Sequence, residues 1–68
     1  MNYDIARAIV ARINDHIVCL PGVTHAAMGM LANMPGYTVK LYNDTPGGAC
    51  VATIRTPQEF TAYANRSN

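Results

Sequence analysis

The sequence predicts a small α+β domain in which one helix, three strands and a second helix follow in that order along the chain. Three observations lead to this prediction. Apolar residues recur at helical spacing in residues 3–20, apolar and polar residues alternate on both sides of the run TPGG, and TPQEF is typical of a helix start. The simplest packing is a three-stranded antiparallel sheet with both helices on one face.

The first helix is predicted from about Tyr3 to Leu20. Asn2 is a suitable N-cap, and Asp4 places a negative charge in the first turn, where the helix dipole favours it. Pro21 and Gly22 are expected to end the helix, because proline cannot continue one and glycine suits the residue just past its end. The predicted buried stripe consists of Ile5, Ile9, Val10, Ile13, Ile17 and Leu20.

The segment 23–31 is compatible with a short helix or a strand. We favour a strand, because the two segments that follow are strands and need a neighbour. Gly29 weakens the helix and would mark a bulge in a strand.

The segments YTVKLYND and ACVATIRT are predicted to form a hairpin, since TPGG between them combines a proline with two glycines. In the first strand, Val39 and Leu41 share one face, and Thr38, Lys40 and Tyr42 share the other. In the second strand, Cys50, Ala52 and Ile54 share one face, and Val51, Thr53 and Arg55 share the other.

The last helix is predicted to begin at TPQEF. Thr56 is expected to cap it, Pro57 suits its first position, and Glu59 stands three residues after Thr56 to complete a capping box. The predicted inward set contains the stripe of the first helix together with Val39, Leu41, Ala52, Ile54 and Phe60.

The low content of charged residues indicates that part of the surface is covered by a partner. The 68 residues form a single small domain, and only 13% of them are charged, against about 25% in a typical soluble domain. We therefore expect a protein partner and a homodimer. The net charge of +1 comes from scattered side chains, so the basic face that non-specific nucleic-acid binding needs is absent.

The histidines and cysteines form no known metal-binding spacing. His16, Cys19, His25 and Cys50 are ligand types for zinc, but no pair of the C-x2-C kind is present. We expect no catalytic residue, no cofactor and no metal, because nucleophile, phosphate-loop and acid–base motifs are all lacking. The N-terminus has no signal-peptide pattern and no apolar run reaches the length of a membrane span. A cytoplasmic location is expected, in which both cysteines stay reduced.

The run LPGV after a helix, the strands that follow and a last helix opening with TPQEF resemble the layout of the heavy-metal-associated domain family. The resemblance implies a related arrangement of helices and strands. That family binds its metal through a CxxC before the first helix, whereas only Met1 and Asn2 precede the helix here. The resemblance therefore implies no copper-binding role.

The function that these observations favour is a non-enzymatic protein–protein interaction module, which binds stoichiometrically and masks its partner sterically. Its small size and its lack of catalytic motifs make it analogous to small phage or mobile-element inhibitors, such as anti-CRISPR proteins. The predicted contact residues on the uncovered sheet face are Met30, Lys40, Tyr42 and Arg55, of types enriched at interfaces. The alanine-rich back of the first helix, around Ala8 and Ala11, is a second candidate surface.

Two alternatives remain. One is a small nucleic-acid-binding protein that uses the uncovered sheet face, with Tyr42 as the stacking aromatic and Lys40 and Arg55 as cations. The other is a metal-binding domain that uses His16, Cys19 and His25.

Overall fold

A computed structural model describes residues 1–44 and 48–66, and it confirms the predicted order of elements. The elements are α1 (Tyr3–Asn14), β1 (His25–Gly29), β2 (Thr38–Tyr42), β3 (Cys50–Ile54) and α2 (Pro57–Arg66). Residues 45–47, which belong to the predicted TPGG turn, lie outside the described part of the chain.

Helix α1 begins where the sequence predicts and ends earlier. The Asn2 side chain accepts a hydrogen bond from the Ile5 N–H at 2.8 Å, as expected of an N-cap. The helix then ends at Asn14, well before the predicted boundary at Leu20.

The early end of α1 is a Schellman motif centred on His16. The His16 N–H donates to the Ile13 carbonyl at 3.1 Å, and the Ile17 N–H donates to the Arg12 carbonyl at 2.9 Å. His16 takes a φ of 60°, a left-handed conformation in which glycine is usual. Because the chain leaves the helix here, the prediction that Ile17 belongs to the buried stripe is wrong, and its side chain is 72% exposed.

Pro21 and Gly22 form a turn between α1 and β1. The Val23 N–H donates to the Leu20 carbonyl at 3.1 Å, and Gly22 has a φ of 74°. This is the geometry of a type II turn, in which the third residue needs a positive φ. The Pro-Gly pair therefore redirects the chain into the sheet but does not end the helix as predicted.

The three strands form an antiparallel sheet in the order β1-β2-β3. Segment 23–31 contains strand β1, as favoured from the sequence, and Gly29 pairs regularly with Thr38. The bulge expected at Gly29 is instead in β3, where Leu41 pairs with Ala52 and Tyr42 pairs with Cys50.

The bulge in β3 moves Cys50 to the other face of the sheet. Val51 is the extra residue, and an extra residue shifts every side chain before it by one position. Cys50 is consequently exposed, and the prediction that it shares a buried face with Ala52 and Ile54 is wrong.

Both helices pack on one face of the sheet and build a single core. The buried apolar residues are Ala6, Ile9, Ile13, Leu20, Ala26, Val39, Leu41 and Ile54. Partly buried side chains from α2, among them Phe60 and Tyr63, pack against this cluster. No described residue of α2 is itself buried, so α2 covers the sheet less completely than α1 does.

Helix α2 begins with a modified capping box. The Thr56 hydroxyl accepts a hydrogen bond from the Glu59 N–H at 3.1 Å, as predicted. The Glu59 carboxylate accepts a hydrogen bond from the N–H of Arg55 at 2.6 Å. In the usual capping box the donor is the N–H of the cap residue itself, here Thr56, so the bond is displaced by one residue.

Candidate interaction surface on the open sheet face

The side of the sheet opposite the two helices is the candidate site, and we call it the open face. The register assigns to it His25, Ala27, Gly29, Thr38, Lys40, Tyr42, Cys50 and Thr53, and Arg55 continues the alternation just past β3. These residues include two cations and no carboxylate. The open face is therefore neutral to positive.

An aromatic pair lies at one end of the open face. His25 and Tyr42 are register partners on β1 and β2, and their rings stack with centroids 5.1 Å apart and planes 10° from parallel. Thr24 supports the pair, since its hydroxyl lies 3.2 Å from Nδ1 of His25 and donates to the Tyr42 carbonyl at 3.3 Å. The two rings therefore stack on each other, each held by its own strand.

Lys40 is held across the middle of the open face. A Cβ placed on Gly29 would lie 2.7 Å from Cε of Lys40 and 3.2 Å from its Cδ, so the lysine stem passes directly over the glycine. Lys40 is half-buried as a result. Its apolar stem covers the strand while the ammonium group is carried beyond it, as is common for long cationic side chains.

Thr38 lies at the other end of the open face and is only 1% exposed. Its Oγ1 has no hydrogen-bond partner among the described residues. The sequence predicts Thr38 on the uncovered side of β2, and the register confirms this side. The side chain is nevertheless buried and not exposed as expected of that side. The close approach of Lys40 across Gly29 explains part of this burial.

The structure brings three of the four predicted contact residues to one side of the sheet. Lys40 and Tyr42 lie on β2, and Arg55 follows β3 and is exposed. Met30 is 63% exposed but stands one residue beyond β1. Met28 pairs with Val39 and packs against the core, on the covered side of the sheet.

Sequence reasoning missed His25 as a member of this surface. Its pairing with Tyr42 depends on the register between β1 and β2, and the segment 23–31 carries too little alternation to give that register. The ambiguity between helix and strand in this segment hid the aromatic pair.

The candidate metal ligands are not brought together. Among residues 1–44 and 48–66, no three side chains of the His, Cys, Asp or Glu types form a group that could hold a metal ion. His16 stands at the end of α1, with the Cys19 thiol 3.8 Å from its carbonyl oxygen, and His25 stacks on Tyr42. The metal-binding alternative has no geometric support in the described chain.

A second surface lies between the two helices. A shallow cavity of about 330 Å³ opens there and is lined by Ile5, Ala8, Ile9, Arg12, Pro57, Phe60 and Thr61. Ala8, from the alanine-rich back of α1, belongs to this lining, and Ile5 is 40% exposed.

Comparisons with protein-family models, curated proteins and solved structures find no match for the chain. No helix in the described ranges is long and apolar enough to cross a membrane.

Proposed function

We propose that this protein is a non-enzymatic interaction module that binds a protein partner through the open face. The observation that carries the proposal is the arrangement of Lys40, Tyr42 and His25. Their side chains are fixed by stacking and by the passage of Lys40 over Gly29, on a face that neither helix covers. Side chains that are already ordered lose less conformational entropy when a partner binds.

The chemistry of the open face suits a protein partner with an acidic rim. Tyrosine and arginine are enriched at protein interfaces, and aromatic rings supply contact area at low entropic cost. Lys40 and Arg55 supply positive charge that would steer an acidic patch on the partner. Binding would be stoichiometric and would act by steric masking in the cytoplasm, as an inhibitor of the kind found in phages and mobile elements.

The test is photo-crosslinking in a lysate of the source organism. A photoreactive phenylalanine analogue replaces Tyr42, and in a matched control it replaces Arg7, which is exposed on α1. We expect one protein to be captured in equimolar amount from position 42 and not from position 7. The same protein should be lost when Lys40→Glu and Arg55→Glu are introduced together. Capture of that protein from position 7 and not from position 42 would overturn the proposal.

One observation favours a second candidate function, which is binding of single-stranded nucleic acid. The stacked rings of His25 and Tyr42 offer a platform for a base, and base stacking on aromatic rings contributes about 1–3 kcal/mol per base. The test is fluorescence anisotropy with a labelled oligonucleotide at low salt, with Tyr42→Ser for comparison. Binding that weakens in Tyr42→Ser and falls steeply with salt would support this candidate.

A further inference from the structure

We infer that the outer edge of β3 is a self-association surface, on which β3 of a second copy of this chain pairs antiparallel. The two edges of the sheet differ in one respect that carries this inference. The edge of β1 is occupied at Ala26 by a side chain from α1, whereas no such side chain bonds to Thr53 at the centre of the β3 edge in the described part of the chain.

Asn14 occupies one position of the β1 edge. Its Nδ2 donates to the Ala26 carbonyl at 3.0 Å, and its Oδ1 accepts from the Ala26 N–H at 2.8 Å. The amide thus takes the place of a neighbouring strand at Ala26, the second residue of β1. These bonds also fix the hydrogen-bond pattern of the sheet. The backbone N–H and carbonyl of Ala26 point outward, away from β2, so its partner Leu41 directs its own N–H and carbonyl toward β3. There Leu41 pairs with Ala52.

The same alternation leaves Thr53 with its N–H and carbonyl directed outward from β3. No other strand among the described residues lies beyond β3. The next outward N–H, that of Arg55, is already taken by Glu59. The residues CVATI contain no charge and no proline, so the side chains that usually protect an exposed edge are lacking.

These constraints select one register for a symmetric pair. Pairing centred on Thr53 would require the N–H of Arg55, which Glu59 holds. Pairing centred on Ala52 sets Thr53 of each copy opposite Val51 of the other, and Val51, as the bulged residue, is left out of the ladder to β2. This register gives about four backbone hydrogen bonds across the two-fold axis.

A second copy also fits the side chains around the edge. A groove of about 420 Å³ runs beside β3. It is lined by residues 51–55 on one side and by Glu59, Ala62, Tyr63 and Arg66 of α2 on the other. Arg55 would face Ala49 of the other copy in this register, so no like charges oppose each other. Val51, which is 45% exposed, and the incompletely buried α2 would both be covered.

The two-fold axis of such a pair stands perpendicular to the sheet. Both copies then keep their helices on the same side, and their open faces join into one continuous surface. The dimer would therefore present two copies of the open face in a single plane, a bivalent arrangement that raises avidity for a repetitive partner.

The test is sedimentation equilibrium under reducing conditions. Protein concentrations extend up to about 1 mM, so that a dimer with a Kd in the weak, millimolar range is still detected. We expect the wild-type chain to dimerise. In Thr53→Pro the Kd of the dimer should rise by a factor of at least about ten. Proline is tolerated on an edge strand whose N–H faces solvent, and circular dichroism confirms that the variant folds. A wild-type chain that stays monomeric throughout would overturn the inference.

A second measurement identifies the surface. With Cys19→Ser and Cys50→Ser in the background, Ala52→Cys should form an intermolecular disulfide on mild oxidation, because non-hydrogen-bonded pairs bring Cα atoms to about 4.5 Å. Ala27→Cys on the open face serves as the matched control and should remain monomeric. A dimer that survives Thr53→Pro and does not crosslink through position 52 would place self-association elsewhere, such as the cavity between the helices.

Discussion

Thr38 shows how one buried hydroxyl can oppose the stability of the fold. Its Oγ1 is buried without a partner, and a buried polar group without a hydrogen bond costs about 1–3 kcal/mol. Valine has the same shape with a methyl group in place of the hydroxyl. We predict that Thr38→Val raises the free energy of unfolding by about 1 kcal/mol.

Urea denaturation followed by circular dichroism checks this prediction. Thr53→Val is the matched control, because Thr53 lies on the same face and is only half-buried. The free energy of unfolding of Thr53→Val is expected to differ from that of the wild type by less than about 0.5 kcal/mol. Equal effects in the two variants would mean that strand preference, and not the buried hydroxyl, determines the change.

His16 stores backbone strain at the end of α1. With a φ of 60°, its Cβ is close to a carbonyl oxygen, at a cost of about 1 kcal/mol that glycine does not incur. His16→Gly is therefore predicted to stabilise the fold by about 1 kcal/mol. His16→Ala separates the backbone effect from the loss of the imidazole, since alanine has the same steric cost and should give no gain. Thermal unfolding of the two variants distinguishes the cases, and a gain in His16→Ala would contradict the explanation.

At the scale of elements, Asn14 connects α1 to β1 through the backbone of Ala26. Asn14→Ala removes both hydrogen bonds and exposes the β1 edge. We predict a loss of about 1–2 kcal/mol in the free energy of unfolding, because the groups left behind are only partly buried and water replaces the amide in part.

Amide hydrogen exchange shows where this loss acts. The Ala26 N–H should exchange faster in Asn14→Ala than in the wild type, while β3, on the far side of β2, keeps its protection. Asp15→Ala is the control, since Asp15 is also exposed and its backbone alone takes part in the cap. Unchanged exchange at Ala26 would show that Asn14 does not protect the edge.

The order and type of the elements were predictable because each depends on local signals. Asn2 and Thr56 are side-chain caps, and the alternation in 38–42 is a pattern of period two. The end of α1 was not predictable, because His16 carries out a glycine's role and no residue-type rule marks it. The bulge at Val51 was hidden for a similar reason, since nothing in ACVATIRT indicates an extra residue.

The candidate site was predictable only in part. The side chains of one strand follow from alternation, so Lys40 and Tyr42 were placed on the correct face. The neighbours of those side chains depend on pairing between strands, which a single sequence does not give. His25 stacking on Tyr42 and Lys40 crossing Gly29 are both consequences of the register between β1 and β2.

In the molecule as a whole, the buried apolar residues lie on one side of the sheet, and neither helix covers the other side. Both helices and the entire buried apolar cluster lie on the covered side. Within residues 1–44 and 48–66, Thr38 is the only buried residue on the open face. The proposed recognition would therefore use the sheet face that the core leaves free.

The most direct test of binding through the open face is an NMR titration of the 15N-labelled protein with the partner captured from position 42. We predict that amide signals of the open face, led by Lys40, Tyr42 and Thr53, shift or broaden on complex formation. Signals from the exposed side of α1, such as Arg7 and Ala11, should stay in place. Shifts confined to α1 and α2, with the open face unchanged, would contradict it.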